Sequence, residues 1–440
     1  MRASIWKIGV TAGLGGLLFG FDTAVIAGTT DALSSVFRLT PMALGVTVSS
    51  ALIGTIPGAA FAGIPSDKLG RRSSLKILGL IYIISALGCA LAWNWPSFLL
   101  FRVIGGLGIG GCSVVAPMYI AEISPAKHRG RLVGLFQINV VFGILLAYVS
   151  NFLVSLMHFG AVEWRWKFGV AAVPALLFYA MLFRIVESPR WLLAKDRDAE
   201  ARQSLEVIGV EDVAAEFSRI QFAIRVEREQ ERGSLWSSHV RKPVILAVIL
   251  AAMNQLSGIN AILYYLNDIF ASAGFSKVSG NVQAVIIGIT NLAFTLIAMN
   301  YIDRFGRRFL LLVGSVGTAL ALLGTGLIYQ YGTHSSWLLW MLILFIASFA
   351  FSQGAVVWVY ISEIFPNNVR ASGQSLGSMT HWVFNAAITL LFPLVAVHSH
   401  ALPFYFFAVM MAIQFALVLT IFPETTARNL ESIESDYFHA

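Results

Sequence analysis

Charge is the first scarcity. Lys, Arg, Asp and Glu together make up 12% of the 440 residues, while 57% are hydrophobic. Ordinary soluble domains carry roughly 25% charged residues. A chain of this length with so little charge cannot cover its own surface with polar groups, so its solvent is lipid. Cysteine is scarce as well. Cys89 and Cys112 are the only two, and both stand inside apolar runs, which argues against a disulfide framework or a metal-binding thiolate set. A nucleotide loop, metal-ligand spacing and a nucleophile with its base are likewise missing. Gly105, Gly106 and Gly108 lie within an apolar run and read as close helix packing. We therefore expect no cofactor, no metal and no enzyme, and energy drawn from a gradient rather than from ATP. The net charge of +7 is dispersed in short clusters between apolar runs. That pattern reads as membrane topology, not as a nucleic-acid footprint.

What is present is length of apolar run. About 20 apolar residues cross the hydrocarbon layer as a helix. Such spans fall near 8–28, 41–63, 73–93, 98–121, 131–154, 166–186, 243–270, 281–302, 309–330, 337–361, 371–396 and 402–422. Only helices satisfy the backbone in lipid over these lengths, so the expectation is an all-α bundle of about twelve helices. The first run contains Asp22 and leads straight into the second, so it reads as a retained helix rather than a signal peptide. Basic residues gather in alternate loops, at Lys68, Arg71, Arg72 and Lys76, at Lys127, Arg129 and Arg131, at Arg304, Arg307 and Arg308, and at Arg370. The intervening loops are nearly bare of Lys and Arg. The positive-inside bias then puts both termini in the cytoplasm of a cell inner (plasma) membrane.

One sizeable polar stretch interrupts the spans, 188–242. Asp196–Ile208 and Val213–Arg232 read as amphipathic helices, with Phe217, Ile220 and Ile224 on one face. It divides the chain into a six-helix bundle, 1–187, a cytoplasmic helical linker, 188–242, a second six-helix bundle, 243–422, and a tail, 423–440. The halves repeat: Asp67, Gly70, Arg71 and Arg72 recur as Asp303, Gly306, Arg307 and Arg308, and Glu122, Pro125 and Arg129 recur as Glu363, Pro366 and Arg370. Two motifs duplicated in register signal duplicated halves. Parallel six-helix repeats hold a substrate site between them near the midplane, reached alternately from each side.

In order along the chain, Gly63–Arg72, Pro117 to Gly130, Glu163 to Trp166 and Glu187 to Leu192 form a recognisable set. Gln255 to Asn260 with Tyr264 and Tyr265, Asp303–Arg308, Trp358 with Glu363 to Pro366, and Pro423 to Thr425 complete it. In this set the chain resembles the sugar porters of the major facilitator superfamily, over nearly its whole length, and looks closest to bacterial proton–xylose symporters. The resemblance implies proton-coupled monosaccharide symport by a protein that works as a monomer.

Asp22 and Arg102 are the charges buried in spans one and four. An unpaired ion in hydrocarbon is expensive, so these two are expected to pair. Arginine keeps its charge, so a proton reaching Asp22 breaks the pair and makes a switch. A permanent structural ion pair is the alternative. In coupled members, the resemblance implies, an Asp at this position carries the proton.

A sugar site needs amides, which donate and accept, and aromatic planes. The spans supply Gln137, Asn254, Gln255, Asn260, Asn291, Trp358, His381, Trp382 and Asn385. Gln255 and Asn260 stand about 140° apart on one helix, and a break at Ser257 and Gly258 turns both towards one cavity. By resemblance, Gln137, Gln255, Asn260, Asn291 and Trp358 meet the sugar; Phe19, Tyr264, Tyr265 and Trp382 serve as gate or stacking residues, or simply as core. An amide in a membrane helix is otherwise explained by interhelical hydrogen bonding. The resemblance also reads the charged loop residues as a cytoplasmic gate. These are Asp67, Arg71, Arg72, Glu122, Arg129, Glu187 and Arg190, matched by Asp303, Arg307, Arg308, Glu363, Arg370 and Glu424.

The chain departs from the family pattern at three positions. Asn254 replaces a glutamine, His381 replaces an amide, and Gly354 is followed by Ala355 where a proline kink is usual. The first two touch the site and leave the sugar open. A facilitative uniporter, a proton symporter for another polyol such as an inositol, and a non-transporting nutrient receptor are the competing readings. The short tail counts against the last.

Overall fold

The computed structural model describes residues 3–124, 129–229, 234–237, 240–366 and 369–425, and among them the regular structure is helical throughout. In chain order the helices are α1 (Ala3–Val25), α2 (Thr30–Phe37), α3 (Pro41–Phe61), α4 (Gly63–Leu69), α5 (Arg71–Leu91), α6 (Trp95–Ile123) and α7 (Arg129–Leu156). Then come α8 (Glu163–Val170), α9 (Ala172–Met181), α10 (Pro189–Ala194), α11 (Asp198–Ile208) and α12 (Val213–Glu229). The remainder is α13 (Arg241–Leu256), α14 (Ile259–Tyr264), α15 (Leu266–Ser272), α16 (Lys277–Phe305), α17 (Arg307–Tyr331), α18 (Leu338–Phe351), α19 (Gln353–Ile364), α20 (Arg370–Ala396) and α21 (Leu402–Ile421).

Eleven helical stretches among the described residues are long and apolar enough to cross a membrane. The expected sixth span is the exception, because it divides at Ala171 into α8 and α9. Pro174 has no N–H to give the Val170 carbonyl, and this missing bond breaks the helix there. Outward faces are apolar. On α5, Ile77, Leu80, Ile84, Leu87 and Leu91 recur at helical spacing and are each at least 45% exposed. A water-soluble helix buries such a stripe; here lipid covers it.

The helices form two compact units. The first comprises Met1–Val25 and Ser50–Glu231, the second Ile26–Ser49 and Arg232–Ala440. In the first, the core gathers Leu75, Tyr82, Val115, Tyr119, Leu132 and Phe178. The glycines of α6 let neighbours approach closely: a Cβ on Gly106 would lie 1.9 Å from the Ala51 carbonyl oxygen, and one on Gly105 would lie 2.3 Å from Ser85 Oγ. Linker helices α10 to α12 share a small core of Trp191, Leu192, Leu205 and Phe217. Trp191 Nε1 donates to the Asp67 carbonyl at 2.9 Å, tying them to the first unit. In the second unit the core runs through Leu250, Leu310, Val356, Tyr360, Ile364 and Val418.

Two irregularities shape the second unit. The chain between α13 and α14 turns at Gly258, whose φ is +82°; a Cβ there would lie 2.3 Å from the Phe407 ring. Only glycine satisfies both demands. The expected tenth span breaks at Ser352 (φ −118°, ψ −90°), between α18 and α19. Proline is therefore not needed for that bend. Ser352 Oγ back-bonds to the Ser348 carbonyl at 2.6 Å, a serine habit that bends helices.

Candidate sugar and proton site

In the first unit, α1 and α6 bring together the two buried charges. Arg102 Nη1 donates to Asp22 Oδ1 at 2.6 Å, and the residues are 3% and 8% exposed. Behind the guanidinium lies the Phe168 ring, 5.6 Å from its carbon to the ring centroid. Phe98 meets both Phe168 and Trp164 edge-on at 5.2 and 5.8 Å. Arg102 Nε is sealed from solvent with no hydrogen-bond partner among the described residues. The pair thus rests on one direct bond and an aromatic wall. Phe19 and Gln137 are half-buried in the same unit.

The second unit gathers the amides. Bonds at the Gly258 turn hold the geometry: Ser257 Oγ donates to the Asn254 carbonyl at 2.6 Å, and the Gly258 N–H to the Gln255 carbonyl at 2.9 Å. Across the turn, Asn260 Nδ2 donates to Gln255 Oε1 at 2.9 Å, so these two amides do converge. Gln255 Nε2 donates to Asn254 Oδ1 at 3.1 Å and stands 3.2 Å from each ring nitrogen of His381. The imidazole meets that donor as an acceptor. Its ring is wedged between Trp358 (centroids 4.9 Å apart) and Trp382 (5.1 Å, edge-on). Trp358 is 39% exposed and so offers a free face.

A turn or more further along α20, Asn385 Nδ2 donates to the Tyr264 hydroxyl at 3.4 Å and its Oδ1 accepts from Thr389 at 3.2 Å. Tyr265 donates to the Thr389 carbonyl at 3.0 Å and stacks on Phe392 at 5.0 Å. Asn291 is buried on α16 and Gly354 half-buried on α19, both outside this bonded set. Gln353, beside Gly354 and completely buried, was not among the expected residues; its Nε2 meets Met411 Sδ at 3.2 Å. A glutamine inside an apolar span was the available signal. The buried ion pair of Lys167 and Glu163, 2.6 Å, was missed in the same way.

At the charged loops the two units carry the same construction. Arg71 Nη2 pairs with Glu122 at 2.9 Å, and Arg307 Nη2 with Glu363 at 2.8 Å. Glu187 accepts from the Arg71 and Arg72 backbone N–H groups at 2.8 and 3.1 Å, and Glu424 from those of Arg307 and Arg308 at 2.9 and 3.1 Å. Acids at these helix N-termini satisfy orphan donors and favour the dipole. Asp67 pairs with Arg71 at 2.8 Å.

Three arginines use carbonyls instead of acids. Arg72 donates to Leu182 and Phe183 at 3.1 and 2.9 Å, Arg308 to Val418 and Leu419 at 3.2 and 2.6 Å, and Arg370 to Phe365 at 3.3 Å. The first two sit at the ends of α9 and α21, where cations suit the exposed carbonyls. Arg190 stands in the first turn of α10. The side chains of Arg129 and Asp303 lie outside the described residues.

The fold and these motifs define a polytopic membrane carrier. The model of the sugar (and other) transporter family matches residues 8–437, and the chain belongs to that family, whose members are transporters. It is 36% identical to the arabinose-proton symporter of Bacillus subtilis, over 97% of this chain and 94% of that one. It is 33% identical to the D-xylose-proton symporter of Escherichia coli (98% and 95% covered) and 36% identical to that organism's galactose-proton symporter (98% and 94%). The partially occluded inward open structure of the xylose transporter XylE from E. coli superposes with a TM-score of 0.87 at 32% identity, covering 97% of this chain and 100% of that one.

Proposed function

We propose that this protein is a secondary active transporter that carries a monosaccharide, a pentose or hexose, together with a proton by alternating access. The observation that carries this reading is the Asp22–Arg102 pair, 2.6 Å across and buried on α1 and α6. Arginine stays charged, so a proton on Asp22 removes the counter-ion and weakens the contact, making the state of α1 against α6 depend on protonation. The symport named for the arabinose, xylose and galactose relatives supports the same reading.

On the substrate side, the Gln255, Asn260 and His381 set offers donors and acceptors, and the exposed Trp358 face offers a plane for the C–H side of a pyranose. These amides satisfy one another, and a sugar replaces those bonds with its own hydroxyls. Loop charge supports a multi-pass position in an inner membrane with both termini cytoplasmic.

The test is uptake into reconstituted vesicles of arabinose, xylose, galactose, glucose and an inositol, with and without an imposed proton gradient. The expected result is one monosaccharide accumulating above equilibrium only when the gradient is present. Equal final levels under both conditions would overturn coupling, and an inositol as the best substrate would overturn the substrate class.

A further inference from the structure

Phe168 has no polar side-chain atom, yet it gives Arg102 a second contact beside Asp22. The guanidinium carbon stands over its ring, 5.6 Å from the centroid. A cation feels the negative face of an aromatic ring out to roughly 6 Å. Towards α1, Arg102 Nη1 donates to Asp22 Oδ1 at 2.6 Å. Its Nε is sealed from solvent and meets no hydrogen-bond partner among the described residues. Arg102 therefore has a carboxylate and an aromatic face as its neighbours.

That face is fixed in place. Phe98 of α6 meets Phe168 edge-on at 5.2 Å, and meets Trp164, one turn earlier on α8, edge-on at 5.8 Å. None of the three residues is more than 2% exposed. The same two turns of α8 carry the Glu163–Lys167 ion pair, closed at 2.6 Å, which supports the helix locally. Few other titratable groups face the site. Besides Asp22, those acting on Arg102 are Tyr82 and Cys89 of α5, a phenol and a thiol that are uncharged at neutral pH. Arg165 of α8 turns away to the Ala90 carbonyl at 2.8 Å. Helix α3 has no titratable residue, and among the described side chains α7 and α9 bring Tyr148 and Tyr179. Lys7 lies at the opposite end of α1, and α4, α10, α11 and the far end of α6 keep their charges in the charged loops and linker.

When Asp22 takes a proton, the cation loses its counter-ion inside a lipid-solvated fold, which is costly unless another partner replaces it. We propose that Phe168 is that partner, a positioning residue on whose face the Arg102 guanidinium settles when Asp22 is protonated. At 5.6 Å the contact is near its outer limit, and freeing Nη1 lets it shorten. The proton adds to a carboxylate oxygen of Asp22 and leaves it again to water; no other covalent bond changes. The ring favours the protonated, separated state over the closed pair and so sets the pH at which the pair opens. With a weaker face the cation has less to move to, and opening needs more acid. The consequence for transport rests on the symport reading above, whereas the seat for Arg102 does not.

Fluorinated phenylalanines test this, because each fluorine withdraws electron density from the ring face while nearly keeping its shape. The full chain, reconstituted in lipid, carries phenylalanine or its mono-, di- or trifluoro form at position 168. The infrared carbonyl band of the Asp22 carboxylic acid, assigned by its loss in Asp22→Asn, is titrated from alkaline to acid pH. Its midpoint is expected to move stepwise towards acid, by about one pH unit over the series. Phe168→Leu should move it at least as far; where that variant does not fold, the fluorinated series, which keeps the packing, decides. A midpoint unmoved across the series overturns the proposal, and so does the lack of a carboxylic acid band at any pH. Uptake with and without an imposed proton gradient separates the two readings. Gradient-driven uptake with an unmoved midpoint removes the seat and keeps symport. A moving midpoint with uptake that ignores the gradient removes symport and keeps the seat.

Discussion

Arg102 reaches across from α6 to hold Asp22 of α1 by a 2.6 Å bond between side chains 80 residues apart in sequence. Each is an expensive ion in a lipid-solvated fold, and each is tolerable because the other is there. Removing one therefore differs from removing both.

Asp22→Asn should abolish accumulation of sugar against its gradient while sparing counterflow exchange. The amide still accepts a bond from Arg102 but can no longer take up a proton. Vesicle uptake with an imposed proton gradient checks the first outcome and exchange of labelled sugar the second. Concentrative uptake by this variant would end the coupling role of Asp22.

Gln255 joins three partners, Asn254, Asn260 and His381, so its loss should not add simply to theirs. Gln255→Ala is expected to raise KM roughly tenfold or more, since it removes bonds worth about 1–3 kcal/mol when polar partners are stranded. Asn260→Ala in that background should add little, because the 2.9 Å bond between them is already gone. The double-mutant cycle on KM should show a coupling of about 0.5–3 kcal/mol. Strict additivity would mean that the two amides act separately.

Gly70 has φ +94° and its Cβ position lies 2.3 Å from Glu187 Oε2; Gly306 has φ +83° and 2.7 Å to Glu424 Oε2. Alanine at either is expected to cost about 1–3 kcal/mol through backbone strain and a displaced acid. Gly63→Ala meets nothing within 4 Å and is the matched control. Thermal unfolding in detergent measures the difference, and equal midpoints for all three would refute the strain argument.

Lys167 is 1% exposed by side chain and bonds Glu163 at 2.6 Å. Lys167→Met leaves a buried carboxylate without this cation and should destabilise by about 3–5 kcal/mol. Adding Glu163→Gln to it should recover most of that loss. A double variant no more stable than the single one would show that the pair is not the stabilising unit.

Much of the fold was legible because lipid imposes a simple rule: about 20 apolar residues in a row become a helix. Span positions, the amphipathic helices of the linker and the duplicated charged loops follow from local composition. The turn at Gly258 was legible as well, since Ser-Gly interrupts an apolar run that carries amides on either side. Harder to read was whatever depends on which backbone comes near. Arg72, Arg308 and Arg370 look in sequence like partners for acids, yet they bond carbonyls. Bare carbonyls at a helix end leave no trace in the sequence. The expected tenth span bends between α18 and α19 without its proline, at a serine bonding back one turn, a choice that φ and ψ reveal and composition does not.

The sequence by itself determined that the chain lives in lipid, how many times it runs through it, and that two buried charges must find each other. It did so because hydrophobic length and the cost of a bare ion are local properties of a residue and its solvent. Only the tertiary structure decided that Gln255, Asn260 and His381 form one self-satisfied network, and that the side chains of Arg72 and Arg308 meet carbonyls at helix ends. Those facts depend on distances between residues far apart in the chain, where a hydrogen bond is made or lost within an ångström.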